Sequence, residues 1–354
     1  MGRQAHPDVL ADLIAQLVVA RTLSLDPYSR LDVNDTVDSE EISVKAKIKS
    51  QIPPDIDRLT EIIRNAVIGV GYNASWGYDI NTVNISFGIN QQSPNIDEAV
   101  SNGGAGDTIT KVGFATDETP EYLPLPHVLV RRLAQRVDEA FYYGSVEGLG
   151  PDGKLNLAVV YEKSEPKYVS SVVVAAQHRD GIDLEQFRDD IRTKIIIPEI
   201  EDRYDESLTQ IFVNPRSLFV YGGPKIDTGV KGKKDADHTY GNLIGHTGGS
   251  AYGKDSSKVD FHGLVTARWI AKSIVAAEFA NVAKVELTYA MGQDEPLEIS
   301  INTFGTSDIP ESGLIDVVKR KFPLKPDEII KHLGLRNPEF YPPLAKYFFG
   351  EKPI

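Results

Sequence analysis

The sequence predicts an α+β fold of three similar, intertwined units, each a β-hairpin followed by a helix (β-α-β-type). Apolar, strand-like runs occur in adjacent pairs, and a helical pattern follows each pair at least twice; residues 42–89 form a looser third copy. Adjacent strand pairs contradict a single parallel sheet, in which strands and helices alternate. We therefore expect three domains in a pseudo-threefold arrangement, at residues 1–100, 101–222 and 223–354.

The elements of the first unit follow from periodicity. A helix is expected over Val9–Leu23, because apolar residues recur there three and four positions apart. Pro7 fits near the helix start, where its missing N–H costs nothing, and Asp26 precedes a proline that stops the helix. The expected elements that follow are a strand at Ile42–Ile48, a helix at Ile56–Ile68 and a strand at Ile80–Ile89.

The later units show the pattern more clearly, because their paired strands flank short polar turns. The central unit has strands at Leu155–Tyr161 and Tyr168–Ala176 around the turn Glu162–Lys167, then a helix at Leu184–Ile195. The last unit has strands at Ala283–Met291 and Leu297–Phe304 around Gly292–Pro296, then a helix near Ser312–Lys319.

The composition excludes several classes of function. The chain of 354 residues contains 38 Lys+Arg and 51 Asp+Glu, a formal net charge of −13, which argues against nucleic-acid binding. It has no cysteine, so disulfides, thiolate metal sites and cysteine nucleophiles are excluded. The apolar stretches are too short to span a bilayer, and the amino terminus lacks an apolar signal core. We expect a cytoplasmic protein.

One segment concentrates glycine and lysine. Nine of the 29 glycines lie between Gly222 and Gly253. Glycine lets backbone N–H groups approach an anion closely and lysine supplies positive charge, so the segment suits a polyphosphate; the alternative is a solvated surface loop. The lysines in and beside the segment are Lys225, Lys231, Lys233, Lys234, Lys254 and Lys258.

The end of this segment nearly matches a phosphate-binding P-loop. Residues 248–255 follow that pattern until Asp255 replaces the Ser or Thr that would bind Mg²⁺. We expect a phosphate-binding loop of another lineage, opening a helix at Ser256–Phe279 whose amino end attracts anions. Nearby acids suit Mg²⁺, although each could instead be a helix cap or an exposed charge. They are Asp227, Asp235, Asp237, Asp255 and Asp260.

Short characteristic strings run along nearly the whole chain. They are His6-Pro-Asp8, Gln92-Ser-Pro94, Gly104-Ala-Gly-Asp107, Phe114–Thr119, Pro151-Asp-Gly-Lys154, Gln177-His178, Phe212–Pro215, Phe219–Pro224, Thr239-Tyr-Gly241, Gly253–Asp260, Glu295-Pro296 and Thr303–Thr306. In their content and shared order they resemble the S-adenosylmethionine synthetase (methionine adenosyltransferase) family of the bacterial and eukaryotic type.

The resemblance implies that methionine sulfur attacks the ribose C5′ of ATP and expels triphosphate, which is hydrolysed to pyrophosphate and phosphate. It also implies Mg²⁺, K⁺ and a homodimer or dimer of dimers, with active sites between chains. The implied roles are catalysis for His6, Lys154, Lys254 and Lys258; ATP and triphosphate binding for Asp152, Phe219, Asp227, Lys233, Lys234 and Lys254; methionine binding for Gln92, Asp107 and Lys258; and Mg²⁺ binding for Asp8 and Asp260.

Some residues depart from the family pattern. Lys233 replaces an arginine, and Asn34 replaces the glutamate expected at the monovalent cation. Lys47 stands where an acid would hold the methionine ammonium group. The ATP half of the site is therefore better supported than the methionine half. Two alternatives stay open: a relative that uses another thioether or acts as a triphosphatase, and a non-catalytic subunit that binds nucleotide.

Overall fold

Three separate sheets with helices packed on them form the computed structural model, which describes residues 1–91, 103–216 and 218–345. The strands are β1 Arg30–Val37, β2 Glu41–Lys49, β3 Asn84–Gln91, β4 Ile109–Thr116, β5 Leu149–Glu162, β6 Glu165–His178, β7 Gln210–Val213, β8 Gly229–Val230, β9 Val282–Tyr289 and β10 Glu298–Asn302. The helices are α1 Pro7–Leu25, α2 Ile56–Gly69, α3 Leu125–Tyr143, α4 Leu184–Ile191, α5 Ile197–Ile200, α6 Asp235–Thr239, α7 Val259–Ala276, α8 Glu311–Lys321, α9 Pro326–His332 and α10 Tyr341–Leu344.

The first two sheets repeat one topology. In the first, with strand order β3-β2-β1-β8, β1 and β2 form an antiparallel hairpin, α2 follows, and β3 returns parallel to β2. In the second, with order β5-β6-β7, β5 and β6 pair antiparallel, α4 follows, and β7 returns parallel to β6. The expected α+β class, with hairpin-plus-helix units, is confirmed.

The third sheet shows how the units are intertwined. Its order is β10-β9-β4, and β4 comes from the chain before the central hairpin. In the same way β8, which follows the central unit, adds to the edge of the first sheet through Thr36 and Val230. Strand exchange of this kind brings segments far apart in sequence to the same sheet edge.

Most of the predicted elements are present, with shifted ends. The helix expected from Ser256 begins at Val259, because residues 253–258 form hydrogen-bonded turns beside β1. The strand expected from Ile80 begins at Asn84, after a turn. β1 was missed, because Asp35 occupies a buried position among its apolar residues and breaks the alternation.

Helices α1 and α7 are buried along most of their length, and several predicted site residues lie at their amino ends. Leu10, Ile14 and Val18 of α1 lie in the largest apolar cluster, together with side chains of β1 and β2. Helix α7 packs so closely on β4 that a Cβ at Gly113 would lie 2.0 Å from the carbonyl oxygen of Ala267. Within the described residues, no helix is long and apolar enough to cross a membrane.

Candidate active site

The amino end of α1 gathers the first set of predicted residues. His6 caps the helix: its Nδ1 accepts a hydrogen bond from the Asp8 backbone N–H at 3.1 Å. The buried Asp8 carboxylate accepts from the Val230 N–H at 3.0 Å. Lys234 Nζ lies 2.8 Å from Asp8 Oδ2 and Lys233 Nζ 3.6 Å from Oδ1. The lysine-rich segment after β8 is thus joined to the start of the chain.

His6 is a neutral hydrogen-bond donor in this arrangement. Burial, followed by the positive charge of Lys154, lowers the pKa of His6 to about 3. Because Nδ1 accepts from Asp8, the ring proton lies on Nε2. Within the described residues, His6 Nε2 has no hydrogen-bond partner although its side chain is buried. An unpaired buried donor is costly unless a ligand uses it.

The residues predicted for adenosine lie together next to this helix end. Asp152 accepts from the Gly223 N–H at 2.8 Å and from the Gly153 N–H at 2.7 Å. Burial raises its pKa. A Cβ at Gly222 would lie 2.8 Å from the Phe219 ring and 3.0 Å from Asp152 Oδ2, so the ring and the carboxylate converge on this glycine.

Lys154 and Asp227 complete this region. Lys154 Nζ lies 3.8 Å from Asp227 Oδ2, and both side chains are more than half exposed. Lys154 also forms a β-bridge with Gly2, four residues before His6. We call the whole set the α1 group; its members are His6, Asp8, Asp152, Lys154, Phe219, Asp227, Lys233 and Lys234.

The amino end of α7 gathers a second set, which we call the α7 group: Lys254, Lys258 and Asp260, together with Lys111. Asp260 Oδ2 lies 2.5 Å from Lys254 Nζ, and Asp260 Oδ1 lies 3.0 Å from Lys111 Nζ. Burial alone would raise the pKa of Asp260, but these two ammonium groups hold it below its usual value. A Cβ at Gly249 would lie 2.8 Å from Asp260 Oδ1, so only glycine lets the loop pass this carboxylate.

Lys258 is the residue before α7, and its side chain is buried. Burial lowers its pKa, while Asp255 and Asp32 act in the opposite direction. A buried ammonium at the amino end of a helix adds to the positive potential there.

Two acids of the phosphate-loop region have structural contacts. Asp255 Oδ2 accepts from the Leu31 N–H at 2.6 Å and Oδ1 accepts from the Ser257 N–H at 2.8 Å. Asp255 therefore fixes the loop against β1, the cap-like alternative noted from the sequence. Asp237 lies 4.0 Å from the amino group of Met1.

The two groups lie at opposite ends of β1. Val230, which donates to Asp8, pairs with Thr36, whereas Lys254 forms a bridge with Asp32. These points are four residue steps apart along the strand, about 13 Å. No hydrogen bond or ion pair between described residues joins a member of one group to a member of the other. A single chain thus presents two separate groups of predicted site residues, which we call the two half-sites.

The residues predicted for methionine have the fewest contacts with the rest of the predicted site. Gln92 lies outside the described residues. Asp107 is exposed in the loop before β4, and its Oδ1 accepts from the Thr108 N–H at 2.7 Å. Lys47 lies on β2 directly opposite Asp32 of β1. An acid is therefore present at this pair of positions, one strand away from the position that the sequence comparison indicated.

Sequence reasoning missed Lys111 and Asp32, and it named Lys231 only as one lysine of the glycine-rich segment. Lys111 had a detectable signal, because a lysine within the otherwise apolar or small-residue strand β4 needs an acidic partner. Asp32 had none, since its bridge with Lys254 joins residues about 220 positions apart.

Comparison with known proteins identifies the family of this chain. Residues 2–94, 102–219 and 221–354 match the family models of the N-terminal, central and C-terminal domains of S-adenosylmethionine synthetase. The chain belongs to the S-adenosylmethionine synthetase family. S-adenosylmethionine synthase of Staphylococcus epidermidis (strain RP62A) is 35% identical over 368 residues, covering 99% of this chain and 92% of the relative. That of Clostridium botulinum (strain Alaska E43) is 34% identical over 362 residues, covering 98% and 92%.

S-adenosylmethionine synthetases bind ATP and methionine and use divalent and monovalent metal ions. Within the described part of this chain, no three His, Asp or Glu side chains are grouped as a metal site. The carboxylates of Asp8 and Asp260 nevertheless suit Mg²⁺, which binds through one or two carboxylates together with phosphate oxygens and water.

Proposed function

We propose that this chain synthesises S-adenosylmethionine from ATP and L-methionine in the cytoplasm. The methionine sulfur attacks C5′ of the ribose, the C5′–O bond breaks, and triphosphate leaves; water then converts the triphosphate to pyrophosphate and phosphate. The observation that carries the proposal is the α1 group, in which a neutral His6 donor lies beside lysines paired with the Asp8 carboxylate. An expelled triphosphate needs such donors and cations already in place.

The α1 group would bind the nucleoside and the bridging end of the triphosphate. The Phe219 ring would stack on adenine and Asp152 would accept hydrogen bonds from the ribose hydroxyls, which explains why both converge on Gly222. His6 Nε2–H would donate to the oxygen that leaves C5′, stabilising its developing charge without moving a proton. Lys154, Lys233 and Lys234 would exchange their present carboxylate partners for phosphate oxygens. Asp227 would keep the Lys154 ammonium in place.

The α7 group would bind the far end of the triphosphate. Lys254 and Lys258 lie at the amino end of α7, where backbone N–H groups also favour an anion. Asp8 and Asp260 would hold Mg²⁺, which supplies charge neutralisation to the phosphate oxygens when it is bound. Lys111 would keep the Asp260 carboxylate oriented.

The methionine end is proposed from fewer contacts. Gln92, Asp107 and Lys258 would hold the amino acid, with Lys258 facing its carboxylate. Asp32 is the acid that supports recognition of the ammonium group, because it lies directly opposite Lys47 and next to Lys254.

We propose that two copies of the chain complete each site, as a homodimer or a dimer of dimers. This is supported by the separation of the α1 and α7 groups along β1 within one chain. Each interface would bring the α1 group of one copy against the α7 group of the other.

One assay tests the function. The protein is incubated with ATP, Mg²⁺ and methionine, and S-adenosylmethionine, pyrophosphate and phosphate are measured separately. We expect all three in equal amounts and only with methionine. Phosphate release without methionine would identify a triphosphatase, and nucleotide binding without turnover would identify a non-catalytic subunit.

A further inference from the structure

Lys231 lies between the two half-sites. It directly follows β8, and its backbone N–H donates to the Asp35 carbonyl at 3.3 Å. Its ammonium group donates to the Tyr252 carbonyl at 3.2 Å. Lys231 is two residues before Lys233 of the α1 group, and Tyr252 is two residues before Lys254 of the α7 group. The side chain thus connects the two lysine-bearing segments.

Three buried acids interact electrostatically with this lysine, and we call them the acidic cluster: Asp12 of α1, Asp35 of β1 and Asp235 of α6, with 0%, 4% and 6% exposure. Asp12 Oδ1 accepts from the Gly232 N–H at 2.7 Å, and Asp235 Oδ1 accepts from the Ser250 hydroxyl at 3.0 Å. Within the described residues, Asp12 Oδ2 and both carboxylate oxygens of Asp35 have no hydrogen-bond partner.

The buried acidic cluster needs a positive charge close to it within the protein. Burial raises the pKa of each of the three carboxyl groups, and in each case the Lys231 ammonium acts against that rise. For Lys231 itself burial lowers the pKa, while Asp32, Asp235 and Asp35 act to raise it. Buried charges are tolerated in proteins when charges of opposite sign compensate them.

The chain does not fit the free monovalent cation that the family implies. The side chain of Asn34 is exposed, carries no charge, and donates its amide N–H to Asp32 Oδ1 at 3.1 Å. The Tyr252 carbonyl, a suitable oxygen ligand for K⁺, already accepts from the Lys231 ammonium. The Lys231 ammonium therefore uses a carbonyl oxygen that a free ion would need as a ligand.

We propose that the ammonium group of Lys231 is a built-in monovalent cation, which supplies charge to the acidic cluster and holds the Lys233 segment against the Lys254 segment, so that this protein needs no free K⁺. Lys231 is a positioning residue, because its ammonium reaches from the Lys233 segment to the Tyr252 carbonyl of the Lys254 segment and would act through those lysines. The turnover measurements below rest on the proposed function; the melting-temperature measurements do not.

The first experiment uses the wild-type protein. Its melting temperature and turnover are measured in K⁺ and in tetramethylammonium at equal ionic strength and constant Mg²⁺. Tetramethylammonium is too large to enter a carbonyl-lined site. We expect the same melting temperature and turnover in both salts. Stabilisation or severalfold activation of the wild type by K⁺ would overturn the proposal.

The second experiment removes the ammonium group. Lys231→Met keeps the length of the side chain, and Lys321→Met, at the exposed end of α8, is the matched control. In tetramethylammonium we expect Lys231→Met to melt at a lower temperature and to turn over roughly tenfold more slowly. We expect K⁺ to restore both, and Lys321→Met to behave like the wild type.

A third variant keeps the test decisive if Lys231→Met folds poorly. Lys231→Met combined with Asp35→Asn removes a positive and a negative charge together, and we expect it to regain stability without K⁺. The proposal fails if the double variant is no more stable than Lys231→Met. It also fails if Lys231→Met is rescued only by lowering the pH, since the acids would then bind protons rather than a cation.

A protein that lacks synthetase activity but shows the expected melting temperatures would overturn the proposed function and leave the role of Lys231 intact. A protein that makes S-adenosylmethionine but is strongly activated by K⁺ would overturn the role of Lys231 and leave the proposed function intact.

Discussion

At the scale of single residues, Asp8 and Asp260 have equivalent positions. Each lies in the first turn of a long buried helix, and each is held by two lysine ammonium groups. The residue types of this arrangement were predictable, because lysines and acids concentrate around the glycine-rich segment. Their pairing was not, since Lys111 reaches Asp260 from a strand about 150 positions earlier in the chain.

Lys254 is the residue for which the largest catalytic effect is expected. Lys254→Ala should remove on the order of 2–4 kcal/mol of transition-state stabilisation, because it removes a cation aimed at the leaving triphosphate. The value of kcat/KM for ATP measures this loss. Lys321→Ala, at an exposed site, serves as the control. Unchanged turnover in Lys254→Ala would exclude this lysine from the mechanism.

Asp235 gives a prediction of pH dependence. Burial raises the pKa of Asp235 to about 6. A raised native pKa means that the folded protein holds this proton after the unfolded chain has lost it, so stability falls as the pH rises from about 4 to 6. Asp235→Asn should abolish this part of the pH dependence, worth on the order of 3 kcal/mol, and should be more stable than the wild type above pH 6.

Urea denaturation of both proteins between pH 4 and 8 measures this difference. Parallel curves for the wild type and Asp235→Asn would show that Asp235 titrates normally in the folded protein.

At the scale of elements, the loop before α7 explains why the phosphate-loop pattern ends in an acid. Asp255 accepts backbone N–H groups from β1 and from its own loop, so it orients Lys254 and Lys258 rather than a metal ion. Periodicity predicted α7 but placed its start three residues early. It could not distinguish the helix from the turns that Asp255 fixes.

Asp255→Ala tests this role. Two buried N–H groups would lose their acceptor, so we expect a loss of about 1–3 kcal/mol in the free energy of unfolding, together with a lower kcat. Asp255→Asn keeps one acceptor oxygen and should lose less. Urea unfolding and turnover are measured for both variants; an alanine variant as stable as the wild type would contradict the assignment.

At the scale of the whole molecule, the exchanged strands β4 and β8 determine where the site residues lie. The three-unit α+β plan was visible in the sequence, because hairpins and the helices that follow them are local. The contact that places the lysines of the α1 group was not, because β8 carries Lys231, Lys233 and Lys234 to the first sheet, and this contact spans about 190 residues. Local periodicity contains no information on such pairing.

Co-expression of two inactive variants tests whether two copies share each site. Lys234→Ala disables the α1 group and Lys254→Ala disables the α7 group, so neither variant should be active alone. In a mixed dimer, one of the two sites would combine intact groups from both copies. Random pairing should then restore about one quarter of wild-type activity. Activity no greater than that of the separate variants would show that each copy contains a whole site.

The ion pairs at Asp8 and Asp260 also bear on how the nucleotide arrives. Metal-free ATP would bind the lysine ammonium groups and leave two buried carboxylates without a counter-charge. Mg²⁺ alone would bind the carboxylates and leave the lysine ammonium groups without one. A preformed MgATP chelate exchanges both kinds of partner in a single event. Order-of-addition and competition measurements should therefore find the chelate as the species that binds, with excess free ATP and excess free metal both inhibitory.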